Sequence, residues 1–146
     1  RDLNQWNPVL TDWFGKEAPD FSVTDLSGTV HKLQNYRGKY LLLVKWDIQG
    51  EASRKMMGNL DEFVQSPDSE NAAVLAFTDR SGQPVEEFLT ANPVSFNVAA
   101  GRYRWTNPYR MAMQLPTLFV INPEGEIELI AQGVLSPDEL AKLTAE

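Results

Sequence analysis

The residues best placed for chemistry lie in "WDIQGEASRKMMGNL", residues 46–60, where the apolar run "KYLLLV" meets a stretch with helical spacing. A strand passing through a short loop into a helix N-terminus is where α/β folds put reactive groups. This loop offers Gly50, Glu51, Ala52 and Ser53. A Ser hydroxyl needs an adjacent base to become a nucleophile, and the single histidine, His31, lies on a different predicted strand. Cysteine is absent from the chain, which excludes disulfides, thiolate metal sites and thiol catalysis together.

Other groups also invite a chemical reading. Asp47, Glu51 and Asp79 could be imagined as an acid–base pair, but acids in loops and at helix starts usually face solvent or complement a helix dipole. Asp47, which follows the central strand at the loop, is the first of them to inspect. Met56 and Met57 follow the loop, and Met111 and Met113 precede Pro116. Thioether ligands favour Cu(I), yet the chain has no Cys and only the one His31 to join them, and Met is also an adaptable filler of cores and binding surfaces. Gly28, Gly38 and Gly125 sit at separate turns and form no phosphate loop. We expect no metal and no cofactor.

The elements that must position the loop read as follows. "FSVTDL" (21–26) and "VHKL" (30–33) alternate around "SG" and predict a hairpin. "YLLLVKW" (40–46) predicts a central strand covered on both faces, followed by a helix from about 52 to 65 with Met56, Leu60, Phe63 and Val64 on one side. "AAVLAFT" (72–78) predicts a second buried strand. "PVEEFLTA" (84–91) predicts a helix opening on Pro84, and 107–114 a short one. "TLFVIN" (117–122) and "EIELIAQG" (126–133) flank the turn "PEG" as a second hairpin, and 136–145 predicts a helix capped by Ser136 and Glu139. This order is a mixed sheet with helices on its faces, in the α/β class.

The chain has 146 residues, which fits a single domain with a substantial core. No run approaches the roughly 18 apolar residues of a membrane helix, so no transmembrane segment is expected. A net charge of −7 argues against a phosphate backbone as partner, so no nucleic acid is expected. The first residue is Arg1 rather than Met, so we expect a processed or excised chain, with any signal or anchor outside it.

"GKEAPDFSVTDLSGTVHKLQNYRGKYLLLVKW" (15–46), "RKMMGNLDEF" (54–63) and "LPTLFVINPEGEI" (115–127) together resemble the thioredoxin-like superfamily, in its extracytoplasmic TlpA/ResA-like branch. That branch shows an "APDF" entry, a "GK" before the central strand, a Trp-Cys-x-x-Cys loop and a "PT" segment leading into a "D-x-x-G" hairpin. The resemblance implies one thioredoxin-like domain over 1–146, with 1–14 as an N-terminal extension. It also implies a central mixed sheet flanked by helices, with an N-terminal β-hairpin extension. On this pattern the two cysteine positions fall at Gly50 and Ser53, the intervening Pro at Ala52, the preceding Trp at Gln49, and a proton-transferring Glu at Met56. Thiol–disulfide exchange needs an attacking thiolate and a resolving thiol; neither is present. A designed Cys-to-Ser trap would leave the neighbours alone, whereas Gln49, Gly50, Ala52 and Met56 depart together, so natural loss is the better reading. The family fold also separates His31 from the loop, which disfavours a Ser–His pair.

The family further implies that Pro116 is cis and faces the loop, where backbone groups pair with an extended substrate; a Pro merely opening a strand is the plainer reading. Beside it, "AGRYRWTNPYRMAMQLP" (100–116) holds Arg102, Arg104 and Arg110 with Tyr103, Trp105 and Tyr109 and no acid. Any one of these could be a core aromatic or a solvated arginine. As a cluster they form a positive island of the residue types enriched at interface hot spots. The expected function is therefore a redox-inactive module that docks a protein or extended peptide over the vacated loop, through Trp46, Trp105, Tyr109, Arg102, Arg104, Arg110 and the backbone beside Pro116. An enzyme with non-thiol chemistry, or one depending on a partner's cysteines, is the rival. The resemblance also implies an extracytoplasmic setting, periplasmic or membrane-anchored, and a place in a larger membrane-anchored or multidomain protein.

Overall fold

In the computed structural model, residues 8–103 and 105–145 are described. The sheet is organised around β3 (Tyr40–Lys45), which sends Leu41 and Leu43 to one face and Leu42 and Val44 to the other, all fully buried. That is the two-residue period of a strand covered on both sides. β4 (Ala72–Thr78) pairs parallel with β3, and β5 (Asn97–Ala100) parallel with β4. On the other side β6 (Thr117–Ile121) and β7 (Ile127–Gln132) are antiparallel, giving the order β5-β4-β3-β6-β7. β1 (Ser22–Thr24) and β2 (Val30–Lys32) form the separate antiparallel pair that the hairpin reading predicts.

Helices cover the Leu42/Val44 face. α2 (Glu51–Val64) contributes Met56, Met57, Leu60 and Phe63, spaced to lie on one stripe, and α3 (Gly82–Ala91) and α4 (Pro137–Leu143) add Val85 and Leu140. Ser136 and Glu139 form the predicted capping box of α4. The opposite face is covered without a long helix. Leu10 of the short α1 (Pro8–Thr11), Val23, Leu33, Trp105 and Tyr109 pack there against Leu43, Phe77 and Phe119. Among the described residues, no helix is long and apolar enough to cross a membrane.

Three differences from the sequence reading have physical reasons. α3 starts at Gly82, two residues before Pro84; a Pro in the first turn loses only an N–H that has no helical partner anyway. The segment 107–114 forms only one 3-10 turn, Tyr109–Met111, because Ala112 already turns extended, and so short a piece cannot nucleate an α-helix. β5 is an addition to the predicted strands. Its residues, "NVAA", have weak strand preference, so its conformation is set by pairing with β4.

The β1–β2 hairpin is pinned by Asp25. Its carboxylate accepts the backbone N–H groups of Ser27 and Thr29, each at 2.9 Å, and pairs with His31 Nε2 at 2.6 Å; His31 Nδ1 in turn meets the Tyr36 hydroxyl at 2.7 Å. Burial alone would raise the Asp25 pKa, but these hydrogen bonds, led by that of His31, lower it from 3.8 to about 2. A depressed folded-state value stabilises the protein above the unfolded pKa, and the benefit disappears as pH falls through the folded one. A tenfold change in proton affinity is worth about 1.4 kcal/mol, so Asp25→Asn should lose about 2 kcal/mol at neutral pH, with the deficit shrinking steadily below about pH 4. Urea melts of both proteins at neutral and acid pH check this; a deficit independent of pH would contradict it.

Candidate functional site

β3 ends in Lys45, and the chain then turns through Trp46–Gly50 into α2. Gly50 is the N-cap, with φ −87° and ψ 126°, and offers no side chain to the helix. Ser53, in the first turn, is 1% exposed, and its hydroxyl oxygen accepts the Asp47 N–H at 3.2 Å. The hydroxyl thus holds the loop against the helix, and His31 is engaged by Asp25 and Tyr36 instead. A Cβ built on Gly50 would lie 3.5 Å from Ser53 Cβ, so the two positions still face each other.

The loop carries a clasp. Arg80, after β4, donates through Nε to Asp47 and through Nη2 to Asp47 Oδ2 at 3.1 Å and Gln49 Oε1 at 2.8 Å. Arg80's hydrogen bond holds the Asp47 carboxyl below the usual carboxylate range; burial opposes this, while Arg80's charge and the Gln49 and Ile48 N–H groups reinforce it. Sequence reasoning singled out Asp47 but missed Arg80. The available signal was opposite charges just past two adjacent parallel strands.

Lys45 was also missed, because it closes an apolar run that reads as pure core. It is 8% exposed, its amine donates to the Ala112 carbonyl at 2.9 Å, and it lies 3.9 Å from Asp79, whose side chain is 58% exposed. Lys45 belongs to two neighbouring clefts. One, of about 680 Å³, runs past Trp46, the Asp47–Arg80 pair, Arg102 and Leu115. The other, of about 910 Å³, is bounded by Arg102, Trp105, Arg110 and Met113. Lys45, Asp79 and Arg102 line both.

The structure divides the expected docking set. Arg102 and Arg110 are exposed on the cleft rim, and Arg104 lies outside the described residues. Trp46 and Tyr109 are fully buried and Trp105 is 7% exposed, so the aromatic anchors are core residues. Trp46 packs at 5.7 Å from Phe88, and Trp105 lies 4.0 Å from Phe77, tilted against it. Both indole N–H groups are buried without an acceptor among the described residues, so these rings are held by packing alone. The methionines do not converge either. Met56 and Met57 are buried on the α2 stripe, where Met56 Sδ accepts the Leu135 N–H at 3.4 Å, whereas Met113 is 84% exposed in the second cleft. Among the described residues, no group of three His, Asp or Glu is placed to hold a metal.

The Leu115–Pro116 bond is cis, as is Asn107–Pro108. The Pro116 carbonyl accepts the Gly133 N–H at 2.9 Å, while neither the N–H nor the C=O of Leu115 makes a backbone hydrogen bond among the described residues.

The chain and its fold have counterparts among known proteins. The ResA thiol-disulfide oxidoreductase of Geobacillus kaustophilus is 30% identical over 132 residues, covering 88% of this chain and 74% of ResA. The thioredoxin-like protein YneN of Bacillus subtilis is 28% identical over 130 residues, covering 86% and 75%. Among solved structures, a DsbE-type thiol:disulfide interchange protein from Chlorobium tepidum superposes with a TM-score of 0.78 at 24% identity, over 89% of this chain and 94% of the other. The exposed lipoprotein thioredoxin Etrx1 of Streptococcus pneumoniae superposes with 0.73 at 16% identity, over 85% and 96%. At these identities the structures speak for the thioredoxin-like fold alone. Residues 14–130 match the AhpC/TSA family, and with relatives at this level over most of its length, the chain belongs to that family although it has no cysteine.

Proposed function

We propose that this protein is a redox-inactive thioredoxin-like module that binds an extended segment of a partner protein along the clefts at the end of β3. The observation that carries the reading is the split fate of the site: the positions facing each other across the loop are Gly50 and Ser53, while the clefts beside Leu115 remain open and bear Arg102 and Arg110. The Leu115 N–H and C=O, which make no backbone hydrogen bond among the described residues, can serve an extended peptide, and backbone pairing needs no thiol. Two features weigh against non-thiol catalysis at the loop. Among the described residues the buried Ser53 hydroxyl has no base beside it, and Asp47 is held as an ion pair by Arg80. On the resemblance to the extracytoplasmic TlpA/ResA-like branch, to which the ResA relative belongs, we place the module outside the cytoplasm.

Two measurements test this. Insulin reduction with dithiothreitol should proceed at the blank rate with the protein present, and protein-dependent turnover would overturn the redox-inactive half. Immobilised protein should retain peptides from a degenerate library of acetylated, amidated octapeptides, with retention falling at least several-fold in Arg102→Gln/Arg110→Gln. No retention would overturn the binding half.

A further inference from the structure

The two clefts together bring four cationic side chains, Lys45, Arg80, Arg102 and Arg110, against two carboxylates, Asp47 and Asp79, in a chain of net charge −7. Arg80 and Asp47 neutralise each other. Of the remaining groups, Arg102 and Arg110 stand on the rim in solvent, whereas Lys45 is held nearly buried at the end of the central strand. Taking an ammonium out of water is unfavourable unless it is paired. Among the described residues, Lys45 has one neutral acceptor, the Ala112 carbonyl, and a carboxylate at 3.9 Å that is itself mostly in solvent. Its charge is under-compensated, and it borders open space on both sides of Arg102.

We propose that Lys45 is the recognition residue for an acidic side chain carried by the bound segment, with Arg102 and Arg110 completing a carboxylate-binding pocket. The inference rests on the peptide-binding reading above and adds the class of partner: an extended segment with an internal Asp or Glu. A segment laid along Leu115 points alternate side chains into the groove, and Leu115 and Lys45 line the same cleft. A carboxylate reaching down between Arg102 and Arg110 would meet Lys45, where a charge-assisted hydrogen bond forms away from bulk water. A terminal carboxylate would instead require the chain to end over the groove.

The test uses the same library divided into three pools with a central Glu, Gln or Lys fixed and both ends blocked. The Glu pool should be retained at least about tenfold better than the Gln pool, with the Lys pool weakest, as charge-assisted recognition predicts. Lys45→Met, similar in length and uncharged, should reduce the Glu-over-Gln preference to within about twofold while the Gln pool still binds, as removal of a charge partner predicts. Should Lys45→Met fold poorly by circular dichroism, Arg102→Gln, on the exposed rim, must lower the same preference. Equal retention of Glu and Gln pools by the wild type overturns the carboxylate site while leaving peptide binding intact. A fourth pool, with the central residue degenerate and the C-terminus left free, is run alongside; retention of that pool alone overturns it in favour of chain-end capture. Retention of no pool overturns this inference together with the reading beneath it.

Discussion

Tyr109→Ala should be among the most destabilising single substitutions in this protein, lowering its stability by about 3–5 kcal/mol. The ring is fully buried. It meets Phe119 edge-on at 5.2 Å, Trp105 at 5.5 Å and Phe21 at 6.0 Å, and its hydroxyl donates to the Pro19 carbonyl at 2.8 Å. Burial, helped by the charge of Asp20, pushes its pKa well above the usual phenol value, as expected of a group that must stay neutral. The ring joins three segments: the entry to β1, the loop before β6, and β6 itself. Removing it opens a cavity on the sheet face that lacks a long helix, and that face has little means of collapsing. Tyr109→Phe keeps the ring and loses one hydrogen bond, about 1 kcal/mol. Urea titrations of the three proteins decide the matter. If Tyr109→Ala were as stable as Tyr109→Phe and only weakened peptide retention, Tyr109 would be a binding anchor after all.

That contrast shows what the sequence could and could not convey. β3, β4, β6, β7, α2 and α4 were legible because each carries its own period or cap: "LLLV" for a strand covered on two sides, and Ser136 with Glu139 for a helix start. "NVAA" carries no such mark, since small residues become a strand only when a neighbour supplies the ladder. Composition showed an Arg-aromatic cluster near Pro116, but not its direction. Tyr109, Trp105 and Arg110 lie close together in the chain, and only the packing of the 100–116 loop against Phe77 and Phe119 separates the inward rings from the outward guanidinium. Lys45 and Arg80 were hidden for a related reason. Their roles depend on contacts with Ala112 and Asp47, which are 67 and 33 residues away.

The double substitution Gly50→Cys/Ser53→Cys should form a disulfide without producing an efficient oxidoreductase. The backbone already suits the bond: a Cβ on residue 50 lies 3.5 Å from that of residue 53, at the near edge of the roughly 3.5–4.5 Å found across disulfides. Gly50 holds an extended conformation that any L-residue adopts, and nothing approaches its added Cβ closer than 3.4 Å. A thiol at residue 50 would cap α2, where the helix N-terminus lowers thiol pKa values. The nearby Asp47 charge opposes this only weakly, since Arg80 is paired with it. In a glutathione buffer the double variant should therefore lose both free thiols to Ellman's reagent after oxidation, and each single variant should not. Turnover is a different matter. On the pattern that the family resemblance implies, Met56 stands at the position of the helix carboxylate; it is fully buried with its sulfur against the Leu135 N–H, so proton transfer to and from the inner sulfur would have no relay. Insulin reduction by the double variant should stay weak even though the disulfide forms. Failure of the disulfide to form would mean that the loop no longer keeps the geometry of a redox site. Efficient turnover would show that the thiols alone were missing and that the change at Met56 had no catalytic consequence.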